Sequence, residues 1–563
     1  MLGSRMTGIS AREVTGIAAL LVITLHAASA QAPAPTASPQ TAAPTTAIKV
    51  STRLVTVDVI VQDKKNQPVP GLTKDDFELF EDDRPQTISV FSVEGQVAPG
   101  SKGASFAPLP LGIFSNRLNF QSNVPISATV ILLDGLNTSP SDLAMARGQL
   151  AKFLQHLQPQ DRVALYSMGK GLRVIQDFTN DSALLTSALK KLSPEPHGGG
   201  GPQLSSLTAP DPRLDPGAGD AKLAALLNVP TVDTTLRTFE AIGQHLAGVP
   251  GRKTLIWISR GFPLIVISGP RDDPFADRTD MTPRVRKASQ VLSKYNVALY
   301  PMDTRALQVG INNIDIGSML DSGGYTPIVS MARGGNNKAM QDAHDSGRLL
   351  AQLTGGRTYY DQNDLAFGIR SAVDDSRLVY VLGYYPAQDK WDGQFHTFKV
   401  RVKQPGVKLT YRSGYLATAE PQALVPENSQ AVLEKAALAP VDSSAIGLLA
   451  RVQKEGPNGQ NLTIDLLVDV NDLMLDHNSD RWKGDLEVVV AQLTASGDIA
   501  ENSGRKHSVQ LNLKEDYYTQ LQSTGLQLFF PFERDPKAAE VRVVVRSVVS
   551  GSVGTVTIPL GAI

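Results

Sequence analysis

The chain has 563 residues, 42% of them hydrophobic and 19% charged, with a formal net charge of −1 and no cysteine. This composition is typical of globular domains with apolar cores, and the length corresponds to about three or four of them. The near-zero charge and scattered basic residues exclude nucleic acid as an electrostatic partner, and the missing cysteines exclude disulfides, a lipoprotein anchor and thiol chemistry.

The first thirty residues have the pattern of a Sec-type signal peptide. Arg5 and Arg12 precede the short apolar run GIAALLVITL, and Ala28-Ser29-Ala30 provides a small-residue cleavage site. The run is too short to cross a bilayer comfortably, and an uncleaved anchor is the alternative. Residues 1–30 therefore predict a secreted or periplasmic protein whose mature chain has no transmembrane span. The Ala-, Pro- and Thr-rich residues 31–47 predict an extended linker.

Residues 48–95 contain short strand patterns. Val55, Val57, Val59 and Val61 alternate with other residues, as in a half-buried strand, and turn-rich segments separate this strand from two shorter ones. The pattern predicts part of a small antiparallel β module. Residues 390–416 also contain strand patterns, and in one of them Phe398, Val400 and Val402 alternate with other residues.

Residues 126–386 alternate between fully apolar strands and amphipathic helices. Such a run predicts helices on both faces of a mostly parallel sheet. Three long irregular segments, at 193–220, 264–281 and 310–340, interrupt it. The second and third follow strands directly and predict a recognition surface at the carboxyl edge of the sheet, where open α/β sheets bind ligands, whereas the first precedes a helix and its position stays open. Surface insertions are the alternative.

The remaining chain divides into a linker and a further domain. Residues 417–439 have a linker composition. Residues 440–563 contain six strand patterns with turn signals at short intervals, which predict an antiparallel β-sandwich.

A single carboxylate, Asp134, ends the apolar strand SATVILLD and precedes a small-residue loop and a helix. An aspartate at such an edge can hold Mg2+ or Ca2+ when hydroxyls and a second carboxylate from other loops converge on the same ion. The loop supplies Asn137 and Thr138, the helix TFEAIGQHL opens at Thr238, and Ser259-Arg260-Gly261 follows a later buried strand.

This order of elements resembles the von Willebrand factor type A (VWA) family and its metal-ion-dependent adhesion site, D-x-S-x-S with a distant Thr and an Asp-Gly. Asp134 and Thr138 match, and Thr238 is the best match for the distant threonine, with Thr234 and Thr235 as rivals. Leu136 stands in place of the first serine, and Arg260 in place of the final aspartate. The resemblance implies a degenerate site in which Asp134, Thr138 and Thr238 are the metal-ligand candidates.

The stretches LVTVDVIVQDKKNQPVPGLTKDDFELFED, LLDGLNT, VPGRKTLIWISRGFP and HTFKVRVKQPGVKLTYRSGYL resemble a subfamily of exported acidobacterial VWA-domain proteins. The resemblance implies an α/β doubly wound, Rossmann-like VWA domain with β-sandwich modules on both sides. It also implies that residues 48–95 and 390–416 form one module flanking this domain.

The charge of Arg260 suggests how the site could work without an ion. A guanidinium repels a cation a few ångströms away, whereas an Arg–carboxylate pair satisfies both groups. We therefore hypothesise that Arg260 turns inward and pairs with Asp134. If it does not, the site could hold Mg2+ or Ca2+. The ligand-binding candidates are Asp134, Asn137, Thr138, Thr238, Ser259 and Arg260.

The chain contains no motif for nucleophilic catalysis, for zinc binding or for phosphate binding. The sequence therefore predicts a protein that is not an enzyme, an exported adhesion or protein-binding module with a protein partner. A structural or assembly factor in an envelope complex is the alternative, and a cryptic hydrolase a further one.

Overall fold

The structure is a computed structural model. It describes residues 54–95, 109–117, 128–169, 171–192, 216–268, 277–304, 327–360, 364–386, 392–417, 429–455, 461–478, 480–501 and 503–562. The predicted signal peptide and first linker lie outside these ranges. Among the helices described, none has the length and apolar character needed to cross a membrane.

The elements up to residue 374 are given in chain order. Five strands come first: β1 Val55–Gln62, β2 Phe77–Glu81, β3 Arg84–Gln86, β4 Val90–Glu94 and β5 Ile113–Ser115. Alternating strands and helices follow: β6 Ala128–Asp134, α1 Pro140–Gln155, β7 Arg162–Met168, β8 Leu172–Thr179, α2 Ser182–Lys191, α3 Pro216–His245, β9 Lys253–Ser259, β10 Ile265–Ser268, β11 Asp277–Asp280, α4 Thr282–Lys294, β12 Val297–Asp303, α5 Pro327–Thr354 and α6 Leu365–Asp374.

The remaining elements are mostly strands. They are β13 Val379–Tyr384, β14 Phe395–Val402, β15 Lys408–Thr410, β16 Gly414–Leu416, α7 Ser429–Ala437, β17 Leu448–Glu455, β18 Asn461–Val468, β19 Asp476–Asn478, β20 Arg481–Thr494, β21 Arg505–Lys514, α8 Glu515–Thr524, β22 Leu526–Glu533, β23 Ala538–Ser547 and β24 Val553–Pro559. The mixed α/β content predicted from the sequence is confirmed.

The central sheet has the strand order β12-β9-β6-β7-β8, with the first four strands parallel and β8 antiparallel at one edge. Every residue of β6 is buried, because the sheet is covered on both sides. Val130 and Leu132 pack with residues of α3, α4 and α5, whereas Ile131 and Leu133 pack with α1, α2 and α6. We call these the α3 face and the α1 face. By the two-residue period of a strand, the Asp134 side chain belongs to the α3 face.

The chain on either side of this unit forms a β module of two four-stranded sheets. Their orders are β15-β1-β13-β4 and β16-β14-β2-β3, and one apolar cluster joins residues of both, including Val57, Tyr380 and Phe398. The sequence assigned residues 379–384 to the α/β segment, but β13 pairs antiparallel with β1 and β4. A short apolar strand has the same sequence pattern in a parallel α/β sheet and in an antiparallel sheet. The strands that pair with it therefore determine to which sheet it belongs.

The C-terminal part has two antiparallel sheets, β22-β18-β17-β5 and β19-β20-β23-β24, with β21 paired to β20. Residues from both sheets, such as Ile464 and Val543, share one apolar cluster. Strand β5, which the sequence did not indicate, completes the first sheet.

The predicted linker 417–439 is partly wrong. Residues 429–437 form α7, and its Leu433 and Ala437 are buried against Val544 of β23. The helix forms because Leu433 and Ala437 lie four residues apart and share one apolar face.

The three long segments predicted to be irregular are partly regular. The first ends within α3, the second contains the hairpin of β10 and β11, and the third runs into α5. Residues 193–215, 269–276 and 305–326 lie outside the described ranges.

Candidate functional site

Asp134 ends β6 as a fully buried carboxylate, with 0% of its surface exposed. Oδ1 accepts hydrogen bonds from the backbone N–H groups of Leu136 (3.0 Å) and Asn137 (2.9 Å). Oδ2 accepts from Asn137 Nδ2 (2.7 Å), Trp257 Nε1 (2.9 Å) and Ser259 Oγ (2.7 Å). Burial raises the pKa of Asp134, and these hydrogen bonds oppose that rise. The carboxylate thus ties its own loop to the end of β9.

Trp257 was not among the site residues predicted from the sequence. Its indole packs edge-on against Phe239 of α3, with 5.2 Å between the ring centroids, and its N–H reaches Asp134. Trp257 and Ser259 are two residues apart on β9, so both face the same side of the sheet as Asp134. Strand parity would have identified this donor.

The contact from α3 is made by Thr235 and not by Thr238. Asn137 Nδ2 donates to Thr235 Oγ1 (2.9 Å), and Thr235 in turn donates to the carbonyl of Thr231 (3.0 Å). Thr238 donates to the carbonyl of Thr234 within the same helix (2.9 Å). The choice of Thr238 is therefore wrong by about one helical turn, and its rival Thr235 meets the site. The sequence does not determine how far α3 extends along the sheet.

Arg260 pairs with Asp142 of α1, and the hypothesis that it pairs with Asp134 is wrong. Arg260 Nε lies 3.2 Å from Asp142 Oδ2, and 42% of the arginine side chain is exposed. Ile256 and Ile258 of β9 lie on the α1 face, and Arg260 is the next residue in the same alternation. Its side chain therefore lies on the α1 face, across the sheet from Asp134. Thr138 Oγ1 accepts from the Arg260 backbone N–H (3.2 Å), which joins the two loops.

The residues present do not suit a metal ion at Asp134. A carboxylate offers about four lone-pair sites, and five donors already point at this one. An ion would have to displace several of these donors from the carboxylate. Neither the Leu136 nor the Arg260 side chain has an oxygen that could bind the ion. In the part of the chain that the structure describes, no three His, Cys, Asp or Glu side chains form a group that could hold a metal ion.

A second polar pair lies one strand away, at the end of β12. Asp303 is in register with Ser259, and its Oδ2 lies 2.6 Å from Nε2 of the buried His344. The imidazole stacks on Tyr360, with ring centroids 3.9 Å apart. Gly261 has a φ of +75°, and a Cβ there would come within 3.0 Å of the Ala343 carbonyl, so α5 packs closely here. The strand VALYPMD ends in an aspartate as β6 does, which is the signal that sequence reasoning missed.

Comparison with known proteins gives only weak likenesses. No protein-family model matches the chain, and none of the curated proteins matches it. Solved structures that resemble parts of it include the SpRpn10 VWA domain, with 13% identity over 32% of this chain and 75% of that one, at a TM-score of 0.16.

Two further solved structures resemble larger parts of the chain. Proximal thread matrix protein 1 from the mussel byssus, with a zinc-occupied MIDAS motif, is 8% identical over 46% of this chain and 47% of that one, at a TM-score of 0.22. The pilus adhesin SpaC from Lactobacillus rhamnosus GG is 12% identical over 86% of this chain and 58% of that one, at a TM-score of 0.25. At TM-scores this low, the likenesses decide nothing about this chain.

Proposed function

We propose that the chain is an exported, VWA-type binding protein that recognises a protein partner at the carboxyl edge of its central sheet. The observation that supports this most is the Asp134 network, which joins the β6 loop, the end of β9 and α3 into one rigid edge. Rigid scaffolds that present loops at such an edge are common recognition sites.

In the described part of the chain, the Asp303–His344 pair lacks a partner that hydrolysis would need, which favours binding over catalysis. A hydrolase built on Asp303 and His344 would need a hydroxyl or thiol hydrogen-bonded to the imidazole. Among the described residues, His344 has its hydrogen bond with Asp303, and no hydroxyl is hydrogen-bonded to the imidazole. The hydroxyl of Ser259 donates to Asp134, and that of Thr138 accepts from the Arg260 backbone. Within the described residues, the edge therefore offers a shaped surface without a hydroxyl hydrogen-bonded to an imidazole.

We further propose that recognition is independent of metal. Five protein donors already hydrogen-bond to Asp134, and this supports a site in which no ion bridges the carboxylate and the partner. The partner instead meets the exposed side chains around the edge, including Arg260 and the apolar Ile265 of β10.

The metal content of the purified protein tests this point. After dialysis against Mg2+ and then metal-free buffer, the unaltered chain is expected to retain far less than one ion per molecule. Arg260→Asp is expected to retain no more, because its new carboxylate would lie on the α1 face beside Asp142. A stoichiometric ion in the unaltered protein, measured by elemental analysis, would show that Asp134 exchanges its donors for a metal.

Partner binding is tested by a quantitative pull-down from the envelope fraction. Ile265→Asp, at a side chain 54% exposed beside the edge, is expected to lower retention of the partner about tenfold or more, as loss of an apolar interface anchor does. Leu184→Asp on α2, where 51% is exposed, is the matched control and should retain the partner fully. A chelator should change neither result.

Equal retention by Ile265→Asp and the unaltered chain would place the partner elsewhere on the molecule. Loss of the partner with chelator would contradict metal-independent recognition. Turnover of a hydrolase substrate that Asp303→Asn abolishes would favour the catalytic alternative.

A further inference from the structure

A cavity of about 250 Å³ lies away from the Asp134 network, between the β module and α6. The turn after β1, the start of β15, residues 357–359 and one side of α6 line it. Its size is just below the usual range for small-molecule sites, which suits a compact ligand.

The walls carry an excess of positive charge. Arg357, Arg370 and Arg377 are matched by three aspartates that they contact, Asp161, Asp374 and Asp375. Lys65 and Lys408 also line the cavity, and neither forms an ion pair within the described part of the chain. The two lysines therefore leave two uncompensated positive charges beside the cavity.

Arg357 is held as a rigid donor in the cavity wall. Its Nε and Nη2 donate to the two carboxylate oxygens of the buried Asp375 (3.0 and 2.5 Å), and Nη1 donates to Gln62 Oε1 (2.9 Å). A guanidinium has five N–H groups, so two of them stay available for an incoming oxygen. Because Asp375 fixes the side chain, a ligand would lose little conformational entropy in ordering it.

An exposed aromatic side chain completes the lining. Phe367 of α6 is 52% exposed, although phenylalanine is ordinarily buried, and Tyr359 lies on the neighbouring wall. The cavity thus combines cationic donors with an open apolar surface.

We propose that this cavity binds a small dianion attached to an aromatic ring, with the charged oxygens between Lys65, Lys408 and Arg357 and the ring against Phe367. The excess of two positive charges matches two negative ones, and the ring would cover apolar surface that water now contacts. An aryl phosphate and an aromatic dicarboxylate share this chemistry. The site is separate from the proposed partner edge and does not depend on it.

The test is calorimetric titration of the whole purified protein at low salt with phenyl phosphate, phthalate, inorganic phosphate and phenol. We expect phenyl phosphate or phthalate to bind with a Kd on the order of 0.1–1 mM, and phenol not to bind. The stronger of the two anions identifies phosphate or carboxylate as the natural group. Inorganic phosphate should bind more weakly than phenyl phosphate, because it cannot contact Phe367.

The variants separate a built site from general charge attraction. Lys65→Gln combined with Lys408→Gln is expected to weaken binding at least about tenfold, whereas Lys64→Gln, at the adjacent lysine outside the cavity, should not. Phe367→Ala should weaken phenyl phosphate and leave inorganic phosphate unchanged. All four positions are exposed, so the variants should fold.

The proposal is overturned if neither aromatic anion binds at about 10 mM, or if Lys64→Gln weakens binding as much as the double variant. Binding of phenol as tight as that of phenyl phosphate would also overturn it.

Discussion

Replacing Asp134 with alanine is expected to lower the free energy of unfolding by about 3–5 kcal/mol, with or without Mg2+. The substitution removes the acceptor for five hydrogen bonds at a fully buried site. It leaves the Trp257 indole N–H and the Ser259 hydroxyl without their acceptor, and each buried unpaired group costs about 1–3 kcal/mol. Asp134→Asn should also destabilise, because its amide would point donors at donors.

Urea unfolding followed by tryptophan fluorescence measures this effect, since Trp257 lies inside the same network. Asp233→Ala is the control, because Asp233 forms an ion pair with Arg284 at the surface, where such pairs contribute about 1 kcal/mol or less. A loss under about 1 kcal/mol for Asp134→Ala would contradict a structural role for the carboxylate. A loss that appears only with Mg2+ would indicate an ion at this position.

The parts of the site that the sequence predicts are those that local patterns determine. The apolar run before Asp134 defines a buried strand, and a buried strand that ends in a carboxylate defines the edge where it lies. The parity of β9 could also have placed Trp257 and Ser259 towards Asp134 and Arg260 away from it, because side chains alternate between faces. The hypothesis about Arg260 rested on the repulsion between its charge and a metal ion, and it did not consider the face of the sheet to which the side chain points.

Other features depend on contacts between distant segments. Thr234, Thr235 and Thr238 are alike in sequence, and only the position of α3 along the sheet selects Thr235. Strand β5 has three residues, and pairing with β17 is what makes it a strand. The composition of 417–439 suggests a linker, yet burial against β23 stabilises α7. In each case, tertiary packing overrides a weak local preference.

Replacing Asp161 with alanine is expected to cost about 3 kcal/mol of stability while leaving partner binding intact. Asp161 is 2% exposed and directly precedes β7. It lies at the amino ends of the parallel strands, whereas Asp134 lies at their carboxyl ends. It accepts from Arg370 Nη1 (2.7 Å) and Nη2 (3.1 Å), from Arg377 Nη2 (3.0 Å) and from the Gln158 backbone N–H (2.9 Å). Without it, two half-buried guanidinium groups keep Asp374 as the one carboxylate that both contact within the described residues.

The stabilisation by Asp161 should decrease as the pH falls. Burial acts to raise the pKa of Asp161, but the hydrogen bonds from Arg370, Gln158 and Arg377 outweigh burial and lower it. The stabilisation is therefore present above the ordinary aspartate pKa and is lost as pH falls through the lower folded-state pKa. The difference in unfolding free energy between the unaltered chain and Asp161→Ala should be full at pH 7 and shrink below about pH 4.

Comparing the two alanine variants separates stability from recognition. Asp134→Ala and Asp161→Ala weaken the same domain by similar amounts, but only Asp134→Ala releases the loops at the proposed partner edge. We expect Asp161→Ala to retain the partner in the pull-down at a temperature where both variants are folded, and Asp134→Ala to lose it. If both variants lose the partner equally, binding depends on overall stability, and the Asp134 network has no particular role in recognition.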